Sequence, residues 1–310
     1  MFKSIFYLSL ILLLSQCTSI KNENANVTMD ESTMVTDGEL ALEDGNKLYG
    51  FWVGNFEMDF QDEDYPIYED DEFEYNKKIN ISIDKIDGER IEGHSVVSGN
   101  YRVFSGSIKR DSGRYFVEAR EPGDHANDGI FKFQMNDTML WGTWTAFDKK
   151  DSVRRIYELK RRIFQYDSTV ALEEAEYVDY KKTKQVMLEE DSFEIPYYAT
   201  STQKIYEINA SNTFLNEPDV ANLKKGDLLI IRNAIYARHG YAFKNKALRR
   251  FFDAQDWYIP VNSDITDELS ATERHNIELL MTYEKNAEEY YDHFGRFWCA
   301  SSTILLIINN

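Results

Sequence analysis

From Gly50 onward, apolar and polar residues alternate with a period of two. Eight stretches carry the alternation between turn residues, near 50–60, 77–86, 90–98, 101–109, 114–120, 129–135, 139–147 and 152–163. Ile79, Ile81 and Ile83 alternate with polar neighbours, as do Phe131, Phe133 and Met135, so these stretches predict strands with one apolar face. Asp87-Gly88, Gly99-Asn100 and Asp111-Ser112-Gly113 are hairpin signals, and successive hairpins make an antiparallel meander. Eight such strands are enough to close into an up-and-down barrel, which removes its own edges.

The period then changes. From Asp227 to His239, Leu228, Ile231 and Ile235 fall at i, i+3 and i+7, the stripe of an amphipathic helix. Gly240 sits where a glycine closes the last turn in the left-handed conformation, with Arg238 and His239 near the negative end of the helix dipole. Upstream, Asn216-Glu217-Pro218-Asp219 supplies a cap and a first-turn proline. Leu248, Phe251 and Phe252 mark the inner face of a second short helix. Ser270-Ala271-Thr272-Glu273 is a capping box for a last helix that turns Ile277, Leu280, Met281, Ala287, Tyr291 and Phe294 inward. Lys204 to Asn209 alternates like a short strand. The predicted fold class is therefore α+β multidomain: an eight-stranded antiparallel up-and-down β-barrel followed by a small all-α domain.

Tyr236-Ala237-Arg238-His239-Gly240, with Arg232, Asn233, Tyr241, Phe243, Phe251-Phe252, Trp257 and Tyr258, resembles the YARHG domain, a small extracellular module of bacterial envelope proteins. The resemblance runs from about Asn216 to Phe294. It implies an envelope location and a role in recognition or scaffolding, and it carries no catalytic activity. Arg232, Tyr236 and His239 share a helix face. They read either as a partner-recognition triad or, the favoured reading, as a polar clamp pinning the helix end to Trp257 and Tyr258.

Met1 to Cys17 has one lysine, an apolar run from Ile5 to Leu14 and then Leu14-Ser15-Gln16-Cys17. The run is too short to span a bilayer and reads as a secretory signal. Its end resembles a bacterial lipobox, which implies lipid on Cys17 and an extracytoplasmic protein anchored to a membrane, the outer favoured over the inner. Gln16 departs from the small residue usual there, so cleavage by ordinary signal peptidase is the alternative. Cys299 is the second of two cysteines, so no disulfide framework is expected. The expected division is signal 1–16, flexible tether 17–47, barrel 48–165, linker or strap 166–210, helical domain 211–296 and unstructured tail 297–310.

Formal net charge is −19, and loss of Lys3 with the signal makes it −20. Such a surface repels nucleic acid. Acidic loops at Asp62 to Glu72 and Glu121 to Gly129 hold the oxygens calcium favours, but neither has EF-hand spacing, and no metal or cofactor is expected. Gly50-Phe51-Trp52 resembles the Gly-x-Trp of lipocalins, with Arg161 or Arg162 placed to cover Trp52. The pattern recurs at Gly142-Thr143-Trp144. Trp52, Phe56, Trp141 and Trp144 favour a mostly filled interior over a small apolar pocket. Motifs for serine hydrolysis, zinc proteolysis and phosphate binding are missing, and His94, His125, His239, His275 and His293 are scattered. The leading reading is a non-catalytic envelope lipoprotein whose helical domain meets a protein or glycan. The alternatives are a lipocalin-like binder of a small apolar ligand and an envelope hydrolase using barrel-mouth carboxylates.

Overall fold

A computed structural model of the protein describes residues 47–59, 76–125, 127–147, 154–188, 191–197 and 201–287. Cys17, the tether as far as residue 46, the Asp62 to Glu72 loop, Tyr291, Phe294, Cys299 and the tail lie outside the described residues.

The eight alternating stretches form β1 (Gly50–Met58), β2 (Asn76–Asp87), β3 (Arg90–Val97), β4 (Asn100–Asp111), β5 (Arg114–Arg120), β6 (Gly129–Met135), β7 (Met139–Ala146) and β8 (Arg154–Arg162). Each pairs antiparallel with the next, and β1 pairs with β8 to close the barrel. Three of the hairpins turn on the predicted residues. Val97 faces Asn100 across Ser98 (φ 53) and Gly99 (φ 73), and Asp111 faces Arg114 across Ser112 (φ 50) and Gly113 (φ 80). Two successive positive φ values match the right-handed twist of the flanking strands.

Large side chains fill the interior, among them Trp52, Phe56, Phe104, Phe131, Met135, Trp144 and Tyr157. Rings meet edge-on or tilted, as for Phe56 with Trp144 at 5.8 Å and Phe104 with Phe131 at 5.5 Å, the geometries that aromatic quadrupoles favour. The polar ends of these side chains are satisfied from the barrel's own backbone and loops: Trp52 Nε1 donates to Leu48 O at 3.0 Å and Tyr157 Oη to Thr143 O at 3.2 Å. Trp141, expected among the fillers, lies instead on the outer face, because Leu140 and Trp144 on either side occupy the inward register. Of Arg161 and Arg162, one expected over Trp52, Arg161 stands opposite Trp52 across β1 and β8 and donates to Tyr49 O at 3.3 and 3.2 Å, while Arg162 donates to Asp256 O at 2.7 Å.

Residues 166–178, expected to form a linker or strap, pack Leu172, Ala175 and Tyr177 against the core of the helical region. A two-stranded hairpin follows, β9 (Asp179–Leu188) with β10 (Asp191–Tyr197). Among the described residues the helices are α1 (Lys204–Glu207), α2 (Glu217–Val220), α3 (Lys225–Arg238), α4 (Lys246–Asp253) and α5 (Ala271–Asn286). α1 replaces the strand expected over Lys204 to Asn209. Only Ile205 of that helix is fully buried, and a two-residue alternation this short does not outweigh a helical turn that delivers Ile205 to the core. The stripe Leu228, Ile231 and Ile235 is buried as expected, and α3 packs on α5. Met281, expected inward, is 53% exposed, whereas Leu280 beside it is fully buried.

The helical region docks on the outer face of β1 to β3. Lys78 Nζ donates to Gln255 O (2.9 Å) and Tyr258 O (3.2 Å), and Asn80 Nδ2 to Pro260 O (3.0 Å). Asn80, Ser82 and Val96 all point outward from the barrel, yet all three are buried, Asn80 against the Pro260 carbonyl of the helical module. The Ser98-Gly99 hairpin completes the contact: Arg249 donates to Ser98 Oγ, and a Cβ on Gly99 would lie 2.6 Å from Lys244 Cγ and 2.7 Å from Phe243 O. Gly99→Ala is therefore expected to cost about 1–3 kcal/mol in urea unfolding of the full chain. Gly113 has a similar φ but open space around it, so Gly113→Ala carries the backbone cost alone. A loss for Gly99→Ala no greater than for Gly113→Ala would show that the hairpin does not bear on the helical module.

Candidate functional site

The end of α3 shows why the five residues from Tyr236 to Gly240 occur together. α3 ends at Arg238, His239 caps it with φ −81° and ψ 6°, and Gly240 takes φ +70°. Tyr241 N then donates to Tyr236 O at 3.0 Å and Gly240 N to Ala237 O at 2.9 Å, the paired bonds of a Schellman cap. Two carbonyls that the cap leaves over are taken by the segment after α4. Val261 N and Asn262 N both donate to Gly240 O at 2.9 Å, and Asn262 Nδ2 donates to His239 O at 2.9 Å. No side chain fits at position 240, since a Cβ would sit 2.5 Å from Val261 Cγ2 and 2.8 Å from the Phe164 ring. Ala237 is buried in the helical core, where a larger side chain would meet close-packed neighbours.

The two basic residues of the motif point inward. Arg238 donates from Nε to Val170 O at 3.0 Å and from Nη1 to Ser211 Oγ at 3.3 Å. Burial lowers its pKa to about 10, against the pull of Tyr166 and Glu273. His239 stacks on Tyr166 at 4.1 Å, and its Nε2 lies 3.1 and 3.2 Å from the two carboxylate oxygens of Glu273. Glu273 also accepts from Tyr166 Oη at 2.9 Å and from Ser270 N at 2.9 Å, while its own N–H donates to Ser270 Oγ at 3.2 Å to complete the capping box of α5. Burial alone would raise the Glu273 pKa. The hydrogen bonds from His239, Ser270 and Tyr166 outweigh it and hold the carboxyl at about 2.

The clamp expected between Arg232, Tyr236, His239 and the Trp257-Tyr258 pair takes other partners. Arg232 donates twice to Glu284 Oε2, at 3.0 and 2.9 Å, so Arg232 and His239 fasten α3 to α5 at its two ends. Tyr236 meets the ring of Tyr241 edge-on at 5.8 Å. Asn233 bonds back to Leu229 O at 2.8 Å. Phe243 is buried and stacks on Phe252 at 4.9 Å; Tyr258 is buried too, and its hydroxyl donates to Tyr241 O at 2.7 Å. Tyr236, Tyr241 and Trp257 are part-buried. Sequence reasoning marked Glu273 only as a capping residue and gave no role to Tyr166, Ser211 or Glu284, all of which lie far from the motif along the chain.

In the loop between β5 and β6, Glu121 Oε2 accepts from Gly129 N at 2.7 Å and Trp144 Nε1 at 2.9 Å. Asp128 Oδ2 accepts from Gly123 N and His125 N, and its Oδ1 faces Arg102 Nε at 3.4 Å. Burial raises the Glu121 carboxyl above its ordinary range, although the bonds from Trp144 and Gly129 oppose that shift. The carboxylates of this loop thus fold the loop itself, the work that calcium would do in a loop of free oxygens. Among the described residues, no group of His, Cys, Asp and Glu is placed to hold a metal ion.

Two outcomes test the motif. Glu273 has a folded pKa below its ordinary 4.5, so its contribution to stability is present above that value and is lost as pH falls toward 2. Thermal unfolding of the wild type should weaken across that window, and Glu273→Gln should lose less there while being less stable at neutral pH. Parallel curves for the two proteins would mean that the network does not hold the carboxylate. Gly240→Val should unfold the helical module more readily than His239→Ala, by at least about 1 kcal/mol, since it adds both strain and a clash. Equal shifts in melting temperature would exclude the left-handed cap.

Comparison with curated proteins and with solved structures returns no match. Among protein families, the YARHG domain matches residues 203–285, a span that begins just before α1 and ends within α5. The helical module that follows the closed barrel is thus a YARHG domain.

Proposed function

We propose that the chain is a non-catalytic protein of the bacterial cell envelope, held to a membrane by lipid on Cys17, in which the YARHG domain has a recognition and scaffolding role. The observation that carries this reading is the inward use of the motif. Arg238 and His239, the residues a reaction would call on, are buried with Val170, Ser211, Tyr166 and Glu273 as partners, and they join helices to the chain leaving the barrel. A partner meets the module through its outer surface, where Tyr236, Tyr241 and Trp257 keep part of their rings exposed. Tyr and Trp suit such contacts because they give large area at little rotamer cost.

The apolar run ending in Leu14-Ser15-Gln16-Cys17 supports the lipid tether, with the outer membrane favoured, and among the described residues no helix is long and apolar enough to cross a membrane. A side-chain-filled interior, with Trp52 and Phe131 almost wholly buried, weighs against a lipocalin-like cargo in the barrel. The envelope partner is a protein or a glycan. Mass spectrometry of the mature protein's N-terminus, with detergent extraction of the membrane fraction, checks the anchor. The expected result is an N-terminal Cys17 bearing acyl chains, absent in Cys17→Ala; an unmodified N-terminus at another residue would overturn it.

A further inference from the structure

The joint between the barrel and the YARHG domain is closed by two charged side chains that answer each other across it. Lys78 lies near the start of β2 on its outer face. Its ammonium donates to Gln255 O at 2.9 Å and to Tyr258 O at 3.2 Å, and lies 5.5 Å from the centre of the Tyr258 ring. Asp253, the last residue of α4, returns the contact, since its carboxyl takes a hydrogen bond from the Lys78 backbone. Each of the two is the strongest charge acting on the other. Asp256 and Glu173 also favour the charge on Lys78, and Arg162 opposes it. Asp253 is faced by Arg249 of its own helix and by the buried Tyr258 phenol. Beside the pair, Asn80 gives its amide to Pro260 O but keeps Oδ1 buried without a partner. An interface made of directional polar contacts, with one oxygen left unsatisfied, holds by a small margin, and the charge at its centre changes that margin.

Burial opposes the charged form of each group. It brings Lys78 down from 10.5 to about 8 and Asp253 up from 3.8 to about 6. For Asp253, whose pKa is raised, the stabilising contribution is complete below 3.8 and is lost as pH rises through about 6. For Lys78, whose pKa is depressed, the contribution is complete above 10.5 and is lost as pH falls through about 8. Between those two values both groups are charged whether the domains are together or apart, so neither contribution is present.

We propose that the Lys78–Asp253 pair makes this joint pH-responsive: it is loosest near neutrality, where both groups keep their charge, and it tightens when either one loses it. The device is independent of lipid at Cys17 and of the partner that the YARHG domain meets. Urea unfolding of the full chain in detergent, followed by tryptophan fluorescence at about pH 5, 7 and 9, tests it against Asp253→Asn and Lys78→Met. The other groups titrate alike in all three proteins, so the ratio of wild-type to variant folding constants isolates the pair. Against Asp253→Asn that ratio should rise roughly tenfold from neutral to the acid condition, and against Lys78→Met roughly tenfold from neutral to the alkaline one. The joint itself is read from the acid gain of Asp253 without Lys78, taken between Lys78→Met and Lys78→Met/Asp253→Asn. Loss of the ammonium removes the charge that opposes the Asp253 shift, so the gain should begin at higher pH than in the wild type, which happens only if the two groups meet across docked domains. Lys78→Gln repeats the comparison should the Met side chain disturb the fold. Ratios that stay flat with pH, or an acid gain that is the same with and without Lys78, overturn the proposal.

Discussion

The carbonyl groups at the end of α3 are the constraint on which the rest of the helical module depends. A helix that ends in the interior must find donors for its last carbonyls, since water cannot reach them. Gly240 solves half of this by turning the chain left-handed, so that two N–H groups fold back onto Tyr236 and Ala237. The other half comes from Val261 and Asn262, and that demand fixes the path of the whole segment after α4. The ring of Phe164, in the chain just leaving the barrel, closes over the same glycine and meets Phe51 of β1 edge-on at 6.5 Å. One cap therefore joins a helix, a returning loop and the barrel's exit strand.

The buried polar residues of the motif follow from that junction. Arg238 and His239 stand in the last turn, where positive charge faces the negative end of the helix dipole. They also reach the chain from Tyr166 to Val170, Arg238 by donating to Val170 O and His239 by stacking on the Tyr166 ring. Glu273 receives His239, Tyr166 and the N-terminus of α5 at once, so a single carboxylate orients two helices and the segment between the domains. A buried network of this kind adds little net stability over apolar packing, but it penalises every arrangement in which one member loses its partner. The motif is best understood as a device for unique assembly.

Sequence periodicity read the barrel nearly residue by residue, because closed antiparallel sheets bury one face and the alternation records that face directly. The hairpins from Asp87 to Arg90, Val97 to Asn100 and Asp111 to Arg114 were marked by glycine, and the caps at Asn216, Gly240 and Ser270 by their own local chemistry. What periodicity cannot record is the partner. The helical stripe put Arg232 and His239 on one face correctly, yet their carboxylates at Glu284 and Glu273 lie 52 and 34 residues away, and any acidic residue in the segment would have fitted the pattern equally. Residues 166–178 read as a linker or a strap because Leu172, Ala175 and Tyr177 follow no period; they are packed against the core of the helices. Trp141 was misplaced for a simpler reason: among the tryptophans of one strand, size suggests burial while register alone decides it.

A closed barrel offers no edge strand for another domain to extend, so a module attaches through side chains on its outer face and through its hairpins. Here those side chains donate to backbone carbonyls, Lys78 to Gln255 and Tyr258, Asn80 to Pro260, Arg162 to Asp256. Burial pushes Lys78 down to about 8 and Asp253 up to about 6, with each charge easing the other's shift, so both remain charged at neutral pH despite the cost. An apolar interface of the same area would tolerate sliding. Directional bonds to carbonyls that sit at fixed positions in the loop after α4 permit one orientation, and because that loop also caps α3, the placement of the domain on the barrel and the closing of its central helix are the same structural event.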